Sequence, residues 1–166
     1  MAKVSRGRSN QLTRQIGEHL VAAELGRLGC VAAPFAGNVP LFDMLAASDL
    51  GVSVPIQVKA SNGLSWVVGD VDIFLDIEMD GLRQNVKGKK NLSNPDLVCV
   101  YVIVSGAGKD EFFVLRLSDV QEIIFGGYKS RTRPRKPDSK HHAIYREDLI
   151  PFKDNWGLIK EQLNIE

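Results

Sequence analysis

Apolar and polar residues recur with two different spacings along the chain, and each spacing predicts one type of element. From residue 10 to residue 28 the apolar positions follow the period of an α-helix, with Asn10 placed as an N-cap and Gly29 as a C-terminal stop. Residues 118–127 and 152–163 show the same period. The sequence therefore predicts helices over 10–28, 118–127 and 152–163.

The remaining apolar segments are short and predict strands. The predicted strands are residues 30–34, 39–46, 54–60, 70–80, 96–104 and 111–117. The run at 96–104 is continuously apolar, which is typical of a central strand buried on both faces. Acidic and apolar residues alternate over 70–80 and indicate a strand with one wet face, although Phe74 breaks the alternation and leaves a helix as the alternative. Residues 81–91 are expected to form a loop, and one mixed α/β sheet flanked by helices is the expected assembly.

The two predicted strands between residues 41 and 60 carry polar side chains within their apolar pattern. If the turn is centred near Leu50, the numbers of opposed residues sum to about 100, so that Asp43 faces Gln57. Side chains alternate between the two faces of a strand, and Lys59 therefore joins Asp43 and Gln57 on one face. The opposite face is apolar throughout, and a slip of one residue would bury the charges.

Polar groups at half-buried sheet positions are costly unless they are paired, so this arrangement needs an explanation. One explanation is an ion pair between Asp43 and Lys59. The other is a divalent cation held by Asp43, by the side-chain oxygen of Gln57 and by the backbone carbonyl of Val58, because hard cations such as Mg²⁺ prefer oxygen ligands. Lys59 beside such a cation would bind a phosphate oxygen or assist the deprotonation of a water.

The first predicted helix offers a further carboxylate. Glu18 ends the apolar stripe of this helix, and the neighbouring Gly17 would permit close approach to the sheet. The alternative for Glu18 is an exposed side chain paired with Arg14 one turn earlier. Glu24 is a competing candidate, but it can pair with Arg27, so Glu18 is preferred.

Composition sets the class of protein. The chain has 166 residues, 44% of them apolar, which is enough for one domain to bury a core without disulfide or metal support. Cys30 and Cys99 lie in apolar stretches and predict buried free thiols in a reducing cytoplasm. Neither a signal peptide nor a membrane-spanning segment is expected.

The net charge of +1 hides two basic clusters, one in residues 81–91 and one in residues 128–142. Such clusters can follow the phosphate backbone of a nucleic acid, and the alternative is a solvated loop. The residues expected to bind nucleic acid are Lys87, Lys89, Lys90, Arg131, Arg133, Arg135, Lys136 and Lys140. Tyr128 is a candidate for stacking on bases, whereas Trp66 is expected to pack in the core.

The order of the polar residues resembles that of the PD-(D/E)XK nuclease superfamily, particularly its members related to Holliday-junction resolvases. The matching residues are Gly17, Glu18, Asp43, Gln57, Val58 and Lys59. The resemblance implies a restriction-endonuclease-like α/β fold with an αβββαβ core, in which a central mixed sheet is flanked by helices. It also implies a single nuclease-like domain over 1–166, with the core at about 10–125 and the basic segment and C-terminal helix at 128–166.

The resemblance also implies a role for each polar residue. Glu18 corresponds to the acidic residue of the first helix, Asp43 to the motif aspartate, Gln57 to the third metal-site position and Lys59 to the catalytic lysine. Phe42 replaces the proline of the motif, and Gln57 replaces the usual Asp or Glu. A carboxamide oxygen can still bind Mg²⁺ or Mn²⁺, but it brings no charge, so Glu18 would have to contribute more.

The implied activity is Mg²⁺- or Mn²⁺-dependent hydrolysis of phosphodiester bonds in duplex or branched DNA by a cytoplasmic endonuclease. A water between Asp43 and Lys59 would attack phosphorus in line. A homodimer would allow such a small enzyme to address both strands. Two alternatives stay open: a catalytically inactive nucleic-acid-binding module of the same fold, and an interaction subunit that uses residues 70–80 as an exposed edge strand.

Overall fold

The first element of the fold is the long helix α1 (Arg6–Arg27). The structure is a computed structural model, and it describes residues 6–35, 41–132 and 135–165. The helix starts earlier than predicted and ends one residue earlier, and Gly29 is the predicted stop: it has a φ of 85°, and the Cys30 N–H donates to the Leu25 carbonyl at 3.0 Å. Glycine accepts this left-handed conformation without the steric cost of a Cβ, and the chain can therefore turn into the first strand.

A five-stranded mixed sheet lies at the centre of the fold. Its strands, in spatial order, are β1 (Val31–Pro34), β2 (Met44–Ala47), β3 (Ser53–Ser61), β7 (Val98–Ile103) and β8 (Glu111–Arg116). The strands β3 and β7 run parallel, and the other neighbours are antiparallel. Every residue of β7 is buried, as its continuous apolar sequence predicts.

Helices cover both faces of this sheet, which confirms the predicted α/β class with a central mixed sheet flanked by helices. The helices α1 and α4 (Gly157–Leu163) share an apolar core with Ile56 and Val58 on one face. The helix α2 (Leu117–Gly127) shares a second core with Cys99 on the other face. Cys30 and Cys99 are buried free thiols, as predicted. None of the helices in the described ranges has the length and apolarity needed to cross a bilayer.

The connection from β3 to β7 differs from the αβββαβ order. Where that order has a helix, the described residues form β4 (Ser65–Val68), a 3₁₀ turn (Val71–Ile73), β5 (Leu75–Asp80) and β6 (Arg83–Lys89). These strands belong to two smaller sheets. The strand β4 pairs with β10 (His142–Tyr145), and β6 lies between the edge strand β5 and β9 (Arg131–Thr132).

Of two predictions in this connection, one was confirmed only in part and the other was wrong. The strand predicted over 70–80 begins only at Leu75, because the Asp70 carboxylate accepts a hydrogen bond from the Asp72 N–H at 2.9 Å and closes the 3₁₀ turn. The loop predicted over 81–91 is largely strand β6, which returns along β5 after a tight turn. Gly81, with a φ of 57°, provides the left-handed residue of that turn.

The basic segment after α2 is fixed to the second core by a buried polar network. The Tyr128 hydroxyl donates to the side-chain oxygen of Gln84, and Gln84 Nε2 donates to the Ser139 carbonyl at 2.9 Å. Tyr128 is only 1% exposed, so it packs in the core and does not present its ring for base stacking. Trp66 is buried, as predicted. The chain then continues through α3 (Arg146–Leu149) and a 3₁₀ turn (Ile150–Phe152), so the predicted last helix starts later, at Gly157.

Candidate functional site

The hairpin of β2 and β3 has the register that its sequence predicts. Met44 lies opposite Ile56, and Ala46 lies opposite Val54. These four side chains are buried against α1 and α4, so the predicted apolar face is confirmed. Asp43 comes just before β2, and its backbone N–H donates to the Ile56 carbonyl at 2.9 Å.

The Asp43 carboxylate is held in place by the backbone of β3. Its Oδ2 atom accepts a hydrogen bond from the Val58 N–H at 2.7 Å. Hydrogen bonds to an ionised acceptor are stronger than neutral ones, so this contact orients the half-buried carboxylate. The Oδ1 atom accepts no hydrogen bond from a described residue and is left for a ligand.

Gln57 and Lys59 lie on the face of β3 opposite to Val58. Gln57 is half-buried and pairs in register with Cys99, and Lys59 is exposed. Burial raises the pKa of the Cys99 thiol to about 12, while the Lys59 charge lowers this pKa and the Asp43 charge raises it. Both charges therefore act on the same point of the sheet, beside Gln57.

The ion pair considered for Asp43 and Lys59 does not form. Within the part of the chain that the structure describes, neither side chain has an oppositely charged partner. The purely structural explanation for these two residues is therefore not supported.

Glu18 comes close to Asp43 because Gly17 brings α1 against β3. A Cβ atom on Gly17 would lie 2.4 Å from the Cβ of Ala60, a distance that side chains do not tolerate. Burial raises the pKa of the Glu18 carboxyl, and the neighbouring Asp43 carboxylate raises it further, against the opposing effect of Arg14. Two carboxylates thus share this end of the sheet.

The alternatives for the helix carboxylate are now distinguished. Arg14 and Glu18 form no ion pair within the described residues. Glu24 does form an ion pair with Arg27, as predicted. This pairing removes Glu24 as a competing candidate and leaves Glu18 as the carboxylate of α1 that lies beside Asp43.

The donors at this site are all oxygen atoms. Glu18 and Asp43 contribute carboxylates, Gln57 a carboxamide and Val58 a backbone carbonyl. This set suits a hard cation such as Mg²⁺ or Mn²⁺, which keeps several waters and needs only one or two carboxylates. In residues 6–35, 41–132 and 135–165, no three His, Cys, Asp or Glu side chains are arranged to hold a metal ion. Gln57 brings a neutral carboxamide to this set of oxygen atoms and adds no charge to it.

Several predicted DNA-binding lysines are engaged with carboxylates. Lys87 pairs with Glu78 at 2.7 Å, Lys89 pairs with Glu122, Lys90 pairs with Asp72 at 3.4 Å and Lys140 pairs with Asp72 at 2.6 Å. Asp72 therefore forms an ion pair with one lysine from each of the two basic clusters. Each of these lysines has to share its charge between a carboxylate and any phosphate that it binds.

The predicted arginines of the basic segment lie in different environments. The Arg131 guanidinium stacks 3.6 Å from the centre of the Tyr128 ring. The side chains of Arg135 and Lys136 are exposed and have no partner in the described residues, and Arg133 lies outside those residues. Arg135 and Lys136 thus keep their charges available to solvent.

Comparisons with known proteins give matches among solved structures only. No protein-family model and no curated protein matches the chain. Among solved structures, the chain is similar to the bacterial homing endonuclease I-Ssp6803I, with 15% sequence identity, coverage of 93% of each chain and a TM-score of 0.49. A similarity of this size carries no conclusion about activity, which has to be argued from the site itself.

Two grooves adjoin Lys59. The first has a volume of about 460 Å³ and lies between α1, β3 and β4. The second has a volume of about 260 Å³, is mostly apolar, and is lined by Gln57, Lys59 and Trp66 among others. Asp43 and Glu18 line neither groove. Sequence patterns did not indicate the first groove, because its outer wall is β4, a strand that was not predicted.

Proposed function

We propose that this chain is a metal-dependent endonuclease of the PD-(D/E)XK type that hydrolyses phosphodiester bonds in DNA. The supporting observation is that Asp43, fixed by the Val58 N–H, lies beside Glu18 and on the same face of the hairpin as Gln57 and Lys59. A carboxylate pair, a carboxamide and an unpaired ammonium in this order match the roles that phosphodiester hydrolysis requires.

Glu18, Asp43, the Gln57 oxygen and the Val58 carbonyl would hold the cation. When bound, Mg²⁺ or Mn²⁺ supplies positive charge that stabilises the charge developing on the phosphate oxygens. The cation would also favour the ionised form of Glu18, whose pKa is raised by burial and by Asp43.

The remaining steps belong to the protein's own groups. Asp43 Oδ1 accepts a hydrogen bond from the attacking water and orients it, since Oδ2 is already fixed by β3. Lys59 has no carboxylate partner in the described residues, so its ammonium is available to a non-bridging or leaving oxygen of the phosphate. The water attacks the phosphate directly in this proposal, so the reaction requires no covalent intermediate between DNA and protein.

The test is cleavage of plasmid and branched DNA with Mg²⁺ and Mn²⁺, with DNA binding measured separately in EDTA. We expect the wild type to cut only when a divalent cation is added, and Lys59→Ala to bind DNA but not to cut it. Wild-type protein that binds DNA without cutting it under either cation contradicts the enzyme proposal and favours an inactive binding module. A homodimer stays a prediction, which the molar mass in solution tests.

A further inference from the structure

The groove between α1, β3 and β4 is polar and carries no acidic residue. Its polar lining residues are mainly Asn10, Thr13, Arg14, Lys59, Ser61 and Asn62. All of its lining residues belong to the described part of the chain, and none of them is Asp or Glu. Hydrogen-bond donors and two cations without a carboxylate create a site for an anion.

The two cations of this groove differ from those of the basic clusters. Arg14 and Lys59 are exposed, and neither forms an ion pair with a described residue. In contrast, Lys87, Lys89 and Lys140 are paired with carboxylates. A phosphate in the groove would gain the attraction of both cations without displacing an acidic partner.

The groove is also continuous with the candidate active site. Lys59 lines the groove and belongs to that site. Arg14 lies four residues before Glu18 on α1, about 6 Å along the helix axis, and its charge acts on the pKa of Glu18. An anion beside Arg14 is therefore a close neighbour of any phosphate at Lys59.

We infer that this groove binds a backbone phosphate of DNA next to the phosphate that is cleaved, with Arg14 and Asn62 as its main contacts. The inference rests on the proposed nuclease function, because Lys59 lines the groove and is the residue proposed to contact the cleaved phosphate. It assigns DNA positioning to α1 and to the turn between β3 and β4, in addition to the basic segment. Phosphate contacts of this kind fix the position of the duplex without reading its sequence.

The test uses fluorescein-labelled duplex DNA in EDTA, with the binding constant measured over a range of salt concentrations. Loss of one phosphate contact reduces the slope of log K against log salt by about 0.9, and this is the change expected for Arg14→Ala. Arg14→Lys keeps the charge and should keep the slope. The control is Arg27→Ala, an exposed arginine on the same helix about 20 Å away, beyond the screening length of about 10 Å; its slope should equal that of the wild type.

The outcomes separate this inference from the proposed function. An Arg14→Ala slope equal to that of the wild type, or equal to that of Arg27→Ala, overturns the inference even if the enzyme cuts DNA. A slope that falls with Arg14→Ala in a protein that never cuts DNA supports phosphate binding in the groove and contradicts the nuclease proposal, together with the placement of that phosphate beside a cleaved one. Asn62→Ala provides a second variant. Because Asn62 is uncharged, we expect this variant to bind DNA more weakly at every salt concentration, with the slope unchanged.

Discussion

The Asp43 carboxylate accepts a hydrogen bond from the backbone N–H of Val58 at 2.7 Å. The same side chain thus joins the start of β2 to β3 and belongs to the candidate active site. The Cγ1 atom of Val58 lies 3.8 Å from where a Cβ on Gly17 would stand, on the side of the sheet that faces α1. Val58 therefore links the contact between α1 and β3 to the Asp43 carboxylate. A substitution at Asp43 can change both stability and activity, so the two effects have to be measured separately.

Asp43→Asn is expected to abolish cleavage while largely preserving the fold. Its carboxamide oxygen can still accept from the Val58 N–H, but the charge is lost, and we expect activity to fall at least about 100-fold. Asp43→Ala also leaves the N–H of Val58 without an acceptor, which costs about 1–3 kcal/mol of unfolding free energy. Cleavage rates and urea denaturation measure the two effects. An Asn variant with wild-type cleavage would rule out Asp43 as a charged ligand.

Gly17→Ala is expected to destabilise the protein although alanine favours helices. The new Cβ would lie 2.4 Å from the Ala60 Cβ, so α1 or β3 has to move, at a cost of about 1–3 kcal/mol. The control is Gly26→Ala on the same helix. An added Cβ there would meet no atom of another element within 4 Å, so the higher helix propensity of alanine should stabilise the protein by up to about 1 kcal/mol. Urea denaturation of both variants gives the comparison.

The double variant Gly17→Ala with Ala60→Gly tests the cause of that loss. If the clash is between the two Cβ atoms, removal of the Ala60 methyl recovers stability, and the two substitutions are not additive. Additive losses would mean that Gly17 matters for another reason. Recovery of cleavage together with stability would also link the approach of α1 to the position of Glu18.

Glu111 makes the stability of the protein depend on pH in the acid range. Arg146 and Lys153 hold the pKa of the Glu111 carboxyl at about 2, below its usual value of 4.5. Between pH 4.5 and about pH 2 the unfolded state binds more protons than the folded state. The stabilisation that the ionised Glu111 gives the folded protein is therefore complete above pH 4.5 and is lost as the pH falls toward 2. We expect Glu111→Gln to remove about 2 kcal/mol at pH 7 and to flatten the acid slope of the unfolding free energy.

The control for Glu111 is Asp49→Asn, an exposed carboxylate with no partner in the described residues. It should leave both the neutral stability and the acid slope unchanged. Urea denaturation from pH 7 to pH 3 compares the two variants with the wild type. An unchanged acid slope in Glu111→Gln would show that another carboxylate is responsible.

Local patterns were sufficient for the elements that form the candidate site. The register of β2 and β3 follows from alternation alone, because one face is apolar and the other carries Asp43 and Gln57. The contact of α1 with β3 follows from the apolar stripe of the helix and from Gly17. The first interaction joins strands that are close in sequence, and the second, between residues 43 positions apart, is indicated by the pattern of the helix itself.

Elements that depend on distant partners were missed. The strand β6 is polar, and its place between β5 and β9 depends on Gln84, which bonds to residues more than fifty positions later. Asp72 likewise meets Lys140 only in the folded chain. A sequence shows the charge of such residues but not their partner, and the availability of each lysine to DNA could not be predicted.

Tyr128→Phe is expected to loosen the basic segment without unfolding the core. The variant keeps the buried ring but leaves the Gln84 oxygen without its donor, at a cost of about 1–3 kcal/mol. Tm should fall by about 2–4 °C per kcal/mol, and protease cleavage within residues 129–141 should become faster. The control is Tyr145→Phe, an exposed tyrosine, with no change expected in either measurement. Equal proteolysis of the two variants would contradict an anchoring role for Tyr128.

Gln57→Glu provides the most direct test of the metal site. The new carboxylate would join Glu18 and Asp43, so the metal-free protein should lose stability through repulsion between like charges. With a third charged ligand, the Mg²⁺ concentration needed for half-maximal cleavage should fall by about tenfold. Mg²⁺ should also raise the Tm of the variant more than that of the wild type, because a ligand stabilises the folded state according to its affinity.

The control for Gln57→Glu is Gln11→Glu, which adds the same charge at an exposed position of α1. It should change neither the Mg²⁺ dependence of cleavage nor the Tm shift. Calorimetric titration with Mg²⁺ in the absence of DNA measures the affinity independently of catalysis. If Gln57→Glu and Gln11→Glu bind Mg²⁺ equally weakly, the Gln57 side chain does not contact the cation, and the site has to be built from Glu18 and Asp43 alone.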